Sequence, residues 1–175
     1  MKIYTRTGDT GTTSILGPER AGKDDPRVRA YGTVDELQAV LGLARSLAAD
    51  DEVKGIILDL QQSLFIVGQD LASPLEQGDR FARVAAKDTE KLEATIDRLD
   101  EALPPLHRFV LPGHDPASAT LHVARTVARR AEREIVALSR QAGVNPHLMA
   151  YMNRLSDLLF VLARTAARRA GAVED

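Results

Sequence analysis

Residues 115–143 read DPASATLHVARTVARRAEREIVALSRQAG. Asp115 is a good helix N-cap, and Pro116 suits the first turn, where its missing N–H costs nothing. Gly143 supplies a C-terminal stop, so the stretch predicts a helix from Pro116 to about Gln141. With residues roughly 100° apart around the axis, Leu121, Ala124, Val127, Ala128, Ala131, Ile135 and Leu138 form one apolar stripe. Such a stripe demands other helices to cover it. Beside its edge lie His122, Arg125, Arg129, Glu132 and Arg133. Arginines four apart on one face repel each other unless an anion or carboxylate lies between them. Their forked guanidinium groups suit a phosphate or a carboxylate. A solvated basic face, with Glu132 and Glu134 as partners, is the competing reading, and the pattern alone leaves both open.

The flanking sequence supplies the covering helices. Asn145-Pro146 repeats the start signal for a fifth helix running to about Arg169. Tyr151, Leu155, Leu158, Leu159 and Leu162 are its inward residues, while Asn153, Asp157 and Arg164 share another face. Asn153 is a poor helix former in mid-helix, which hints at a job for its amide. Upstream, Thr33 and Glu36 fit a capping box, followed by Val34, Leu37, Leu41, Ala44 and Ala48 at helical spacing. A second helix is expected from Val53 to about Ala72, with Ile57, Leu60, Leu64, Val67 and Leu71 inward. Ser73 to Arg83 reads as a loop. Asp88 is the expected cap of a third helix carrying Leu92, Ile96 and Leu99, which ends before Pro104-Pro105. A short strand is expected at Lys2 to Thr5. The resulting class is all-α: a single domain built as an up-and-down, ferritin-like five-helix bundle over residues 33–169, preceded by a loop over residues 1–30.

Composition narrows the function. The 175 residues are 44% hydrophobic and only 4% aromatic, so aliphatic side chains and alanine must fill the core. A formal net charge of -2 argues against nucleic-acid or membrane partners. Cysteine is absent, which excludes thiolate metal sites and cysteine nucleophiles. No apolar leader or spanning run is visible, so a cytoplasmic location is the expectation.

The N-terminal stretch Thr5-Arg6-Thr7-Gly8-Asp9-Thr10-Gly11-Thr12-Thr13-Ser14 has no apolar residue to bury. Glycines let backbone N–H groups approach an anion, hydroxyls add donors, and Asp9 could hold a metal ion directly or through water. A flexible polar terminus is the plainer reading of the same composition. Gly17-Pro18-Glu19-Arg20-Ala21-Gly22-Lys23 fits the start of a P-loop, but Asp24 stands where Ser or Thr is required and no apolar strand precedes it. A P-loop fold is therefore rejected, with Lys23 kept as a phosphate candidate. Glu-x-x-His pairs for a di-iron bundle are missing, and His107, His114, His122 and His147 lack zinc-site spacing. Each histidine reads as a surface or supporting group.

Three blocks together resemble the trimeric, PduO-type ATP:cob(I)alamin adenosyltransferases: KIYTRTGDTGTTSILGPERAGKDDPRVRAYGTVDEL at 2–37, FVLPGHDPASATLHVARTVARRAER at 109–133, and YMNRLSDLLFVLAR at 151–164. The resemblance implies a homotrimer with active sites between subunits, and ATP, magnesium and cobalamin as ligands. It implies that Thr5, Arg6, Thr7, Gly8, Thr13, Ser14 and Lys23 form the nucleotide loop. Arg129, Arg130, Glu132 and Arg133 match the family's R-R-A-E-R nucleotide contacts, and Asn153 matches its N-R-L-S-D asparagine. Asp35 and Arg125 match a catalytic pair joining neighbouring subunits beside the corrin. Phe109 matches the aromatic at the corrin's lower face. His114, Gln38 and Ala128 depart from the usual family residues, and none of them is a proposed ATP contact.

The implied chemistry needs no side-chain nucleophile, because cobalt(I) in a corrin is itself strongly nucleophilic. The protein's tasks are to align cobalt with the 5′ carbon of ATP and to stabilise the departing triphosphate. A cobalamin reductase upstream and an adenosylcobalamin-dependent enzyme downstream are the partners such a reaction calls for. The competing expectation is a non-catalytic helical protein that senses ATP or cobalamin.

Overall fold

The computed structural model describes residues 2–16 and 20–172. Two short strands, β1 (Thr12–Ser14) and β2 (Arg20–Gly22), pair antiparallel with Thr13 opposite Ala21. Five helices follow: α1 (Pro26–Leu47), α2 (Asp51–Ala72), α3 (Ala86–Asp100), α4 (Pro116–Ser139) and α5 (His147–Arg169). A 3₁₀ segment, Leu75–Arg80, interrupts the connection between α2 and α3. The all-α bundle is thus the one the apolar stripes require. Laterally, α4 lies between α1 and α5, α2 packs on α1, and α3 packs on α5.

The stripes read from sequence face inward. Leu121, Ala124, Ala128, Ala131 and Ile135 of α4 are fully buried, as are Leu37 and Leu41 of α1 and Leu155, Leu159 and Leu162 of α5. Burying each leucine stabilises the fold by about 2 kcal/mol. The α4 start is as expected: the Asp115 carboxylate accepts from the N–H groups of Ala117 and Ser118 at 2.9 and 3.2 Å. Asn145 serves α5 in the same way, accepting from His147 N–H at 3.1 Å.

Four local expectations are corrected. First, α1 begins at Pro26 and not after Thr33. Asp25 is its N-cap and accepts from Arg27 N–H at 2.7 Å, while the Thr33 hydroxyl donates back to the Arg29 carbonyl within the helix. The Asp-Pro start signal outcompetes the Thr-x-x-Glu pattern, because it offers both a capping oxygen and a preset φ. Asp35 is consequently a mid-helix residue. Second, Lys2 to Thr5 forms no strand; the ladder forms at β1 and β2, the second of which overlaps the near-miss P-loop. Gly17, Pro18 and Glu19 of that near-miss lie outside the described residues. Third, Asp88 does not cap α3 as the residue preceding the helix; from within its first turn the side chain accepts from Ala85 N–H at 2.9 Å. Fourth, His122 and Arg164 are core residues. His122 is buried with its ring edge-on to Phe160, 6.0 Å between centroids. Arg164 is buried and donates to the Pro104 carbonyl at 2.8 Å, whereas Asn153 and Asp157 face solvent.

One end of the bundle is tied by polar contacts between the start of α1, the end of α2, the connection that follows α4 and the start of α5. Arg27 donates to the Leu71 carbonyl at 2.6 Å and to the Gly143 carbonyl at 3.5 Å. The buried Asp70 carboxylate accepts from Arg83 at 2.7 Å, Val84 N–H at 2.9 Å and the Asn145 amide at 2.6 Å. The N-terminal hairpin docks at this end through Leu16 N–H to the Ala72 carbonyl, 3.1 Å.

Candidate functional site

Two clusters carry the residues singled out from sequence. The first is the N-terminal loop. Arg6 takes φ 61°, a left-handed conformation unfavourable for a side chain, and Gly11 takes φ 84°. Between them, Asp9 N–H reaches the Arg6 carbonyl at 3.4 Å and Gly11 N–H the Gly8 carbonyl at 3.2 Å, so the chain makes two successive turns. Lys23 N–H then closes onto the Gly11 carbonyl at 2.9 Å. Gly8 is needed for close approach: a Cβ there would stand 3.2 Å from the Thr12 carbonyl oxygen and 3.4 Å from Lys23 Nζ. The ammonium of Lys23 and the turn at Gly8 therefore share one spot. The Thr5 and Thr7 hydroxyls bond each other at 2.9 Å, and all of Thr5, Arg6, Thr7 and Ser14 are exposed. The result is a solvent-facing set of hydroxyls with one ammonium, held by turns whose N–H groups are already bonded, and those side chains suit phosphate oxygens.

The second cluster lies on α4 and α5. Arg129, Glu132, Arg133 and Arg140 line a groove of about 410 Å³ with Val136 and Ala137 as its apolar floor. Asn153 of α5 donates to Glu132 at 3.1 Å, fixing the carboxylate at the groove's edge. Of the sequence candidates, Arg129, Glu132, Arg133 and Asn153 are brought together here. Arg130 is not: it turns the other way and pairs with Glu36 of α1. Arg140 joins the groove although it is not among the sequence candidates. Its signal was present, since it lies on the same helical face one turn beyond Val136.

Because Arg29 on α1 pairs with Glu134 on α4 at 3.7 Å and Arg130 with Glu36, these helices run antiparallel, and the hairpin and the C-terminal half of α4 occupy the same end of the bundle. Among the described residues, no hydrogen bond joins the hairpin to Arg129, Glu132 or Arg133 within the chain.

The third set is dispersed. Asp35 is exposed on α1 and lines a groove of about 390 Å³ with Tyr31, Gln38, Phe65 and Gln69. Arg125 sits on α4 with its Nε buried and unbonded within the chain. No ion pair joins the two among the described residues. Phe109 stands 97% exposed on the α3–α4 connection, beside Leu106 and Leu111, which are also exposed. An isolated exposed ring is unremarkable, but three exposed apolar side chains on one connection leave apolar area open to a ligand or partner. No group of three or more metal-ligating acids or histidines occurs among the described residues.

Comparison with known proteins follows the same residues. The model of the cobalamin adenosyltransferase family matches residues 3–166. The corrinoid adenosyltransferase PduO of Salmonella typhimurium is 48% identical over 165 residues, covering 94% of this chain and 49% of the relative. The chain thus spans about half the length of that relative. A corrinoid adenosyltransferase of Citrobacter freundii is 45% identical, with 93% of each chain covered. Among solved structures, a variant PduO-type ATP:corrinoid adenosyltransferase from Lactobacillus reuteri, complexed with cobalamin and ATP, superposes with a TM-score of 0.94. It is 39% identical, covering 99% of this chain and 95% of that one.

Proposed function

The chain belongs to the cobalamin adenosyltransferase family, and from that premise we propose that it transfers the 5′-deoxyadenosyl group of ATP to cob(I)alamin. The observation that carries the reading is the pairing of a phosphate-suited hairpin with an arginine-lined groove, in a chain whose relatives include structures holding both ATP and cobalamin.

The electron pair of cobalt(I) attacks the 5′ carbon, the cobalt–carbon bond forms, and the carbon–oxygen bond breaks as triphosphate leaves with its electrons. The protein's work is alignment and stabilisation of the charge on the leaving group. Thr5, Arg6, Thr7, Gly8, Thr13, Ser14 and Lys23 would wrap the triphosphate. Arg129 and Arg133 would complete the charge, with Glu132 and Asn153 as polar partners for the nucleoside, whereas Arg130 turns away from this groove to pair with Glu36. Phe109 would lie beneath the corrin, exclude water from the lower face and favour loss of the axial ligand, which makes cobalt easier to reduce. Magnesium fits as an ion that arrives on the triphosphate. Hydroxyls and the carboxylates of Asp9 and of Asp24, which lies against Gly22, are local oxygen donors, and that ion needs only one or two protein ligands beside phosphate oxygens.

Among the described residues of one chain, no hydrogen bond joins the hairpin to Arg129, Glu132 or Arg133, and Asp35 and Arg125 have no ion pair with each other. Both facts favour an assembly in which neighbouring subunits complete the site, a homotrimer by family resemblance. The single-domain organisation, a hairpin-bearing N-terminus and a helical bundle, belongs to the same reading. A cytoplasmic location, an upstream reductase and a downstream adenosylcobalamin-dependent enzyme complete it.

Mixing the protein with ATP and chemically reduced cobalamin, and following the absorbance change to adenosylcobalamin, tests the proposal. Turnover supports it. Tight binding of both ligands without turnover would instead favour a sensor.

A further inference from the structure

Among the described residues of the N-terminal hairpin, Arg20 makes the most side-chain hydrogen bonds, and the proposed reaction assigns it no part. It opens β2 and reaches across to the loop and β1. Its Nη2 donates to the Thr7 carbonyl at 2.7 Å, to the Thr12 hydroxyl at 2.9 Å and to the Thr12 carbonyl at 3.3 Å. Its Nε donates to the Thr12 hydroxyl at 3.3 Å, and its Nη1 to the Ser14 hydroxyl at 3.1 Å. One planar fork thus spans Thr7 to Ser14, the segment that carries the phosphate-suited donors.

The direction of these bonds matters. A hydroxyl has one proton to give and two lone pairs to receive. Arg20 can only donate, so it occupies acceptor positions on Thr12 and Ser14 and leaves both protons free to point outward. A hydroxyl with an unsatisfied proton is a donor, and the triphosphate is purely an acceptor. The guanidinium also engages the Thr7 carbonyl oxygen, so that oxygen is bonded to a donor and is not left to repel an incoming anion. Lysine cannot reproduce this, since it lacks the rigid fork.

We propose that Arg20 is a positioning residue for the nucleotide: it presets the loop from Thr7 to Ser14 and turns the Thr12 and Ser14 hydroxyl protons toward the triphosphate. This inference rests on the reading of the hairpin as the ATP loop. It adds a residue that acts through its neighbours, and it makes Thr12 a phosphate donor alongside Ser14.

The test is ATP titration of the intact protein by calorimetry, with parent, Arg20→Gln, Arg20→Lys, Ser14→Ala and the Arg20→Gln/Ser14→Ala double variant. Because Arg20 lies on an exposed hairpin, thermal unfolding of the helical bundle should match the parent in every variant. Losing a preset loop and two oriented donors should weaken ATP binding on the order of ten-fold or more in Arg20→Gln. In steady state this should appear as a raised KM for ATP with kcat much less affected. Arg20→Lys should fail nearly as badly as Arg20→Gln. Ser14→Ala should cost far less in the Arg20→Gln background than in the parent, because its hydroxyl is no longer oriented.

Rescue by Arg20→Lys would overturn the proposal, since it would show that charge and not the fork is what matters. Additive losses would overturn it as well, and so would unchanged affinity in Arg20→Gln. Failure of the parent itself to bind ATP would instead refute the reading of the hairpin, and this inference with it.

Discussion

Replacing Asp70 with alanine should be the most damaging single change outside the apolar core. Its carboxylate is wholly buried and accepts three bonds, from Arg83, Val84 N–H and Asn145, at 2.6 to 2.9 Å. Truncation leaves a buried backbone N–H without a partner and an arginine side chain only 17% exposed with its counter-charge gone. Breaking a buried pair from one side costs about 3–5 kcal/mol. Here the lower end applies, because Arg83 keeps the Pro74 carbonyl at 3.0 Å and Asn145 keeps the Val84 carbonyl at 2.8 Å. The expected loss is therefore about 3 kcal/mol, a large part of a typical stability of about 5–15 kcal/mol. For a chain of this size that corresponds to a fall in Tm of roughly 6–12 °C. Urea unfolding at fixed protein concentration measures it, with Asp70→Asn as control. Asparagine keeps an acceptor for Val84 N–H, so it should lose roughly half as much. The hairpin docks on Ala72, two residues along, so the Leu16 amide should also exchange faster in Asp70→Ala. A loss below about 1 kcal/mol, or equal losses in both variants, would refute the reasoning.

Phe109→Ala should leave stability within about 0.5 kcal/mol of the parent, because the ring is exposed. It should lower the four-coordinate fraction of bound cob(II)alamin seen in optical spectra, with ATP affinity unchanged; an unaltered fraction removes Phe109 from the lower face. Arg129→Lys keeps the charge but not the fork, so turnover should fall on the order of ten-fold or more while folding survives. Near-normal turnover would exclude a bidentate role. Acid should loosen the far end of the bundle. The Asp50 carboxyl is held below its ordinary value by Val53 N–H and Arg169, and Glu52 is held low by Arg169 and Arg98. Depressed carboxylates contribute stability above their unfolded value, and that stability is lost as pH falls through the folded value. Thermal unfolding should therefore fall more steeply below about pH 4 in the parent than in Arg169→Gln; parallel profiles would count against this network.

Much of the fold was legible because aliphatic spacing and Asx-Pro start signals act locally. Leu121 to Leu138 could be placed on one face from period alone, and Asp115-Pro116 marked where that face begins. The same logic failed at α1 only because a second local signal, Thr33 with Glu36, competed with Asp25-Pro26, and a helix prefers the cap that also presets φ. What stayed hidden depends on contacts distant in sequence. Asp70 reads as an ordinary surface acid beside Leu71 until Arg83 and Asn145 converge on it. The burial of His122 and Arg164 depends on which neighbouring helix covers them. Among the candidate residues, Arg129, Glu132 and Arg133 could be placed beside one stripe from spacing, but that Asn153 meets Glu132 could not, because it depends on how α5 packs on α4. Arg20 was not, because its role comes from the hairpin's register and no spacing rule encodes it.

The central claim is a bond between cobalt and the 5′ carbon of ATP, made with release of intact triphosphate. A single turnover with ATP labelled with carbon-13 at the 5′ position, read by nuclear magnetic resonance, observes both products at once. The expected result is a labelled carbon bound to cobalt and one equivalent of triphosphate for each adenosylcobalamin formed. Labelled carbon remaining in ATP, or release of diphosphate or phosphate with no cobalt–carbon signal, would contradict it.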